Sequence, residues 1–345
     1  MRINKLLTAL VLGAIVFTSC TSDSPSLPRG DYDRGILISG EGSPSTGTGS
    51  VSYVSNDFTT VENLIYKKVN NAELGTFLQS MAFDNNRAFI VVDNQNTISV
   101  VERYGFTKVG EITSELVTPR YMTVVGDKGY VTNWGTTGAF VSVYNLTDYS
   151  FIKKINIGNG PEKIIERSGK LYVSHKGGFG TNNVISVIDI ATDNVQEITV
   201  KNKPDELFFD NSGNLVVLCE GKAAWTNDET LASITKIDVS NNTVTSELVF
   251  PDTVHPSLMV LDNNTIYYVI GKKVFKINEN ATSLSTDVYI ESPSSLYGLE
   301  VEGNQVFTLN ASFTDLSTLN VYDATTKAKT QTKSVALGAS KIYFN

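Results

Sequence analysis

The sequence predicts an all-β protein, a seven-bladed β-propeller of four-stranded antiparallel blades. Three observations predict it: a unit of four short strands, its recurrence with a period in the forties, and complementary half-units at the two ends. The unit is clearest over residues 157–200. Gly160-Pro161 opens it, and apolar or alternating runs follow at 163–166, 170–174, 184–190 and 195–200. A polar turn at Ser168-Gly169, a loop at 175–183 and a turn at 191–194 separate them. Short β-branched runs bounded by Gly, Asn, Asp and Pro read as strands joined by turns.

With Pro161 as reference, equivalent positions fall at Leu78, Pro119, Pro204, Pro256 and Leu296. Successive spacings through the series are 41, 42, 43, 52 and 40 residues. An apolar residue stands three positions on in each case: Met81, Met122, Ile164, Leu207, Met259 and Leu299. That period, with four strands per unit, is the signature of a propeller blade. The third strands align best, seven times, from Ser50, Ile98, Val141, Ile185, Ile234, Val274 and Leu319. Asn145, Asp189, Asp238 and Asp323 follow four of them and suit the turn to an outer strand.

Only six complete units lie between Leu78 and Val335, and the two ends supply the seventh. Ala339, 43 residues after Leu296, opens a first strand. Residues 36–39, 51–54 and 61–66 read as the second, third and fourth strands of the same blade. Pairing the C-terminal strand with the N-terminal three closes the ring and removes the open sheet edges that template aggregation.

The first residues read as a targeting segment. Arg2 and Lys5 precede the apolar run 6–17, and Phe17-Thr18-Ser19-Cys20 has the form of a bacterial lipobox whose cysteine becomes a lipidated N-terminus. The expected organisation is a signal peptide at 1–19, lipidated Cys20 with a flexible tether at 20–34, and one propeller at 35–345. Several acyl chains hold a protein stably at a membrane. The formal charge is −8, with 36 acids against 28 lysines and arginines. That balance argues against a nucleic-acid partner, which needs a basic footprint. Beyond Cys20 the only cysteine is Cys219, inside the apolar run LVVLC, where one thiol makes no internal disulfide and a buried position is expected.

Loops joining second to third strands share one propeller face with those preceding first strands. Five of the former are long: 40–49, 133–138, 175–183, 220–228 and 310–316. Two are short, 94–96 and 271–273. Four long loops carry one large aromatic each, Trp134, Phe179, Trp225 and Phe313. Aromatics on polar loops around one axis point to a binding surface; the alternative is that each folds back on its own blade. The first-strand loops add Gln79, Arg120, Tyr121, Glu162, Lys163, Asp205, Glu206, His255, Ser257 and Tyr297. From these we expect a ligand site built from Trp134, His175, Phe179, Trp225, Phe313, Arg120, Tyr121, Lys163, Asp205, His255 and Tyr297.

Catalytic groups are few. His175 and His255 are the only two histidines, too few for a His/Cys metal centre. Either could ligate a metal carried in by a ligand or simply serve its loop. No serine sits in a nucleophile elbow and no glycine-rich phosphate loop precedes a helix. Glu41 and Glu220 follow second strands in similar Glu-Gly contexts. They could act as a carboxylate pair, hold a cation, or accept backbone N–H groups at strand ends. The expectation is a binding protein rather than an enzyme.

The lipobox-like FTSC, the seven repeats, GPEK at 160–163, NWG at 133–135, HKGGFG at 175–180 and GKAAW at 221–225 together resemble a family. It is the YncE-like, surface-layer-type seven-bladed propeller lipoproteins of Bacteroidetes, the DUF5074 group, and within it the BtuG-type corrinoid-binding lipoproteins. The resemblance implies an outer-membrane lipoprotein facing the cell exterior. It implies cobalamin or a related corrinoid as ligand, no intrinsic cofactor, and a TonB-dependent, BtuB-like transporter as partner. It carries over a face, not individual contacts. A glycan or peptide ligand, a protein-interaction scaffold, and an enzyme such as a lyase or lactonase are the other possibilities.

Overall fold

Strands in the middle of each blade are apolar on both faces because a neighbouring blade covers each face. Arg87–Val92, Lys170–His175 and Leu215–Cys219 are buried almost throughout, whereas the outer strand Thr243–Val249 is exposed along most of its length. A computed structural model describes residues 28–45 and 47–345. It contains seven four-stranded antiparallel sheets, arranged as a propeller. The signal peptide, Cys20 and the tether up to residue 27 lie outside the described residues. No described helix is long and apolar enough to cross a membrane.

We number the blades from the one that closes the ring. Blade 1 pairs Ala339–Phe344 with Gly35–Gly40, followed by Ser50–Ser55 and Val61–Glu62. Blades 2 to 7 begin at Leu78–Phe83, Pro119–Val125, Pro161–Arg167, Pro204–Phe209, Leu258–Asp262 and Gly298–Glu302. The closing strands meet in the register Leu37 to Tyr343 and Ile38 to Ile342. The seven third strands fall where the alignment put them.

Seven apolar clusters fill the seven junctions between blades. Leu37 and Val51 meet Met81 and Ile90, for instance, and Phe89 and Val91 meet Met122 and Val131. Phe307 and Leu309 meet Ile36 and Ile38, which seals the last junction. Each cluster joins strands that one-sided burial would leave half wet, so the ring holds its blades by area rather than by hydrogen bonds.

Two boundaries differ from expectation. Residues 61–66 are not one strand. Val61–Glu62 is strand, Leu64 turns left-handed (φ 60°), and Ile65–Asn70 is a helix whose Ile65 and Tyr66 are buried in the first cluster. Burial of these two large side chains outweighs strand propensity there. The tether also ends early. Tyr32 is buried, packs edge-on to Tyr53 and Phe106, and donates its hydroxyl to Glu62 at 2.8 Å. Asp33 pairs with Arg29 at 2.9 Å, so residues 29–34 belong to the folded body.

Candidate functional site

Five blades begin their inner strand in one unusual way. Phe77, Thr118, Gly160, Lys203 and Gly338 all have φ between 53° and 63°, the left-handed region. An extra residue then interrupts the pairing with the neighbouring strand. Pro161 faces His175 while Ile164 already faces Val173, and the same slip recurs after Leu78, Pro119 and Pro204 and opposite Ser39-Gly40. A bulge breaks the strict in-out alternation of a strand and re-aims side chains. Two successive residues of each bulged strand therefore line the axis. Blades 6 and 7 pair without a bulge.

The result is an open axial cavity of about 810 Å³ on the face bearing the long loops. Gln79, Arg120, Glu162 and Asp205, each one residue after its strand start, line it together with Ser257 and Tyr297, each one residue before its own. Beneath it lies a narrower chamber of about 350 Å³, and Tyr121, Glu206, Leu258 and Lys341 border both.

Charges along the wall are paired across blades. Arg120 bridges Asp93 at 2.5 Å and Glu162 at 3.1 Å, linking blades 2, 3 and 4. Lys176 donates to Asp205 at 2.7 Å and to Glu220 at 2.8 Å, and Lys203 reaches Glu220 at 3.3 Å. Lys163 pairs with Glu206. Burial pushes the Glu162 carboxyl above its ordinary range in spite of Arg120. Burial opposes ionisation of Asp205 as well, but the Lys176 and Lys163 ammonium groups outweigh it and hold that carboxyl low.

Aromatic side chains form the mouth. Trp134 lies half-buried, donates Nε1 to the Pro161 carbonyl at 3.1 Å, and stacks under the Arg120 guanidinium at 4.1 Å. Phe179 stands edge-on to it at 5.1 Å and is 98% exposed. Trp225, raised on the short 3-10 helix Ala224–Thr226, is 81% exposed. The Phe179 loop is held by a close backbone approach: Gly177 N donates to Gly160 O, and a Cβ on Gly160 would lie 2.0 Å from the Gly177 carbonyl carbon.

The structure thus brings Trp134, Phe179, Trp225, Arg120, Tyr121, Asp205 and Tyr297 to one cavity. Lys163 borders the lower chamber instead. Phe313 packs edge-on to Tyr297 at 5.7 Å, outside the cavity lining. Neither histidine reaches it. His175 is fully buried: Nδ1 donates to the Asn159 carbonyl at 3.2 Å and Nε2 accepts from Ser186 Oγ at 2.8 Å. Burial lowers its pKa to about 4, so the ring is neutral at neutral pH. Nδ1 of His255 donates to the Glu220 carbonyl at 2.7 Å, and its Nε2 meets Glu229 at 3.0 Å. Both rings therefore bond loop groups rather than line the cavity.

Sequence reasoning did not single out Lys176, Lys203, Asp93, Asn94, Thr118, Phe77 or Lys341, all of which line the cavity. Phase could have found three of them. Lys341 stands two positions after Ala339 as Lys163 does after Pro161, and Phe77 and Thr118 each immediately precede a strand start. Cys219 is free and buried as expected, and burial pushes its thiol up to about 12.

The family described as "Domain of unknown function (DUF5074)" matches residues 34–341. The chain belongs to this DUF5074 family. No curated protein matches it. Among solved structures, it resembles a quinonprotein alcohol dehydrogenase-like protein of Bacteroides thetaiotaomicron, with TM-score 0.70, 15% identity, and 91% of this chain and 78% of that one covered. A functionally unknown protein of Desulfotomaculum acetoxidans gives TM-score 0.66 at 13% identity, covering 90% and 99%. Dihydro-heme d1 dehydrogenase NirN, solved in complex with DHE, gives 0.60 at 13%, covering 93% and 77%. At these identities the likeness shows the fold.

Proposed function

We propose that this DUF5074 protein captures a corrinoid on its loop-bearing face. It holds the ligand as a binding protein, anchored to the outer membrane through Cys20 and facing the exterior, and passes it to a TonB-dependent, BtuB-like transporter. The observation that carries the reading is the pair of aromatics at the cavity mouth, Phe179 at 98% and Trp225 at 81% exposure. Large side chains left in water on structured loops mark a surface that a ligand covers. Gln79, Asn94, Thr118 and Ser257 offer amide and hydroxyl partners between them. A corrinoid, wide and flat with peripheral amides, matches that combination. The loops sit on a closed ring of blades, so little ordering entropy opposes binding. The motifs GPEK, NWG, HKGGFG and GKAAW support the BtuG-type assignment.

Calorimetry with cyanocobalamin tests the ligand. The expected result is saturable heat and a pink complex that survives gel filtration. No heat and no retained colour would contradict it.

A further inference from the structure

Five cations face the axial chambers, and four of them are engaged. Arg120, Lys163, Lys176 and Lys203 each pair with a carboxylate. Lys341 is the fifth. Among the described residues its ammonium forms no ion pair and no hydrogen bond, yet it borders both the cavity and the chamber beneath. The ring-closing strand puts it there: it pairs with Ser39 beside the bulge that also admits Ala339 opposite Gly40.

Three carboxylates act on Lys341 from a distance, Glu206, Glu41 and Asp205, but each is bonded elsewhere. Glu206 holds Lys163, Asp205 holds Lys176, and Glu41 accepts the Tyr297 hydroxyl at 3.3 Å. Burial, with repulsion from Lys163, pushes the Lys341 pKa down. A partly buried charge without a partner is destabilised until an opposite charge meets it. The chamber below is lined by Met81, Ile164, Leu207, Met259 and Ile342 together with Lys163, Glu206 and Glu300, and the apolar part of that wall strengthens a charge-assisted bond.

We propose that Lys341 is an anion subsite at the base of the cavity, taking a phosphate or carboxylate arm of a ligand whose flat body lies on the aromatic mouth. The subsite rests on the binding reading above but not on corrinoid chemistry.

Two arms keep the claims apart. In the first, inorganic pyrophosphate is titrated into the full chain and thermal unfolding is followed. The wild type and Lys341→Arg gain stability with pyrophosphate, and Lys341→Met and Lys341→Gln do not. No gain in the wild type, or an equal gain in Lys341→Met, overturns the subsite. In the second, cyanocobalamin, which carries a phosphodiester arm, is compared with cobinamide, which lacks it. Lys341→Met weakens cyanocobalamin binding by roughly tenfold to a hundredfold, as loss of a charged hydrogen bond requires, and leaves cobinamide unchanged. Equal affinity for cyanocobalamin in Lys341→Met and wild type overturns the subsite for that ligand. If the wild type binds no corrinoid, the corrinoid reading falls and the pyrophosphate arm decides the subsite alone.

Discussion

The two faces of the ring differ in how their polar side chains are paired. On the face away from the cavity, many turns satisfy themselves locally, although Arg87, Arg103 and Asn211 there also reach the neighbouring blade. Asp84 accepts from the backbone of Asn86 and Arg87, Asp189 from Ala191 and Thr192, Asp238 from Ser240, and Asp323 from Thr325 and Thr326. These bonds span two or three residues, as Asx turns do. On the cavity face, bonds cross blades. Arg120 ties three blades together, Lys176 two, and His255 joins the start of blade 6 to the Glu220 loop. Local bonds stabilise a turn and need nothing else. Bonds across blades fix the positions of groups distant in sequence, which is what a preorganised site requires. The cavity face gathers its charged cross-blade bonds around the axis.

Removing the cation that links three blades should break that contrast most severely. Arg120→Met strands Asp93 and Glu162, both largely buried, and we expect a loss of about 3 kcal/mol or more in urea unfolding. A loss under about 1 kcal/mol would mean that the lattice behaves like a surface ion pair.

A smaller effect follows from pH, because the buried Glu300 and the aspartates of the far-face turns titrate with opposite sign. Burial pushes the Glu300 carboxyl in the lower chamber from its ordinary 4.5 up to about 7. The folded state therefore keeps a proton that the unfolded chain releases. Its contribution is complete below about pH 4.5 and is lost as pH rises through about 7. Asp189, Asp238 and Asp323 are held below their ordinary 3.8 by turn hydrogen bonds, so their contribution is present above that value and lost as pH falls. Glu300→Gln should flatten the decline on the neutral side of a stability–pH profile and leave the acid limb unchanged. An unchanged neutral limb would contradict the assignment.

Most of the scaffold was legible because a repeat states its rule seven times. The spacing of Leu78, Pro119, Pro161 and Pro204 located the inner strands, and Ala339 at the same phase announced ring closure. The helix Ile65–Asn70 was not legible, because it follows a two-residue outer strand in the one blade assembled from both ends. The cavity was legible only in part. Aromatics on loops betray themselves by composition, so Trp134, Phe179 and Trp225 could be placed. Bulges leave no composition, and so the pairing of Arg120 with Glu162 could not be read, although phase alone points to Lys341. His175 misled because it opens a loop in sequence but ends a strand in space. Asn133, Cys219 and Asn310 also end second strands and are also buried, a pattern visible only once the strands are in register.

The central claim is that the ligand lies on the aromatic mouth of the cavity. Cyanocobalamin titrated into the Trp134→Ala, Trp225→Ala double variant, beside the wild type, tests it most directly. Tight, saturable binding to the wild type and its loss in a variant that remains folded are expected. Undiminished binding by the double variant would contradict it.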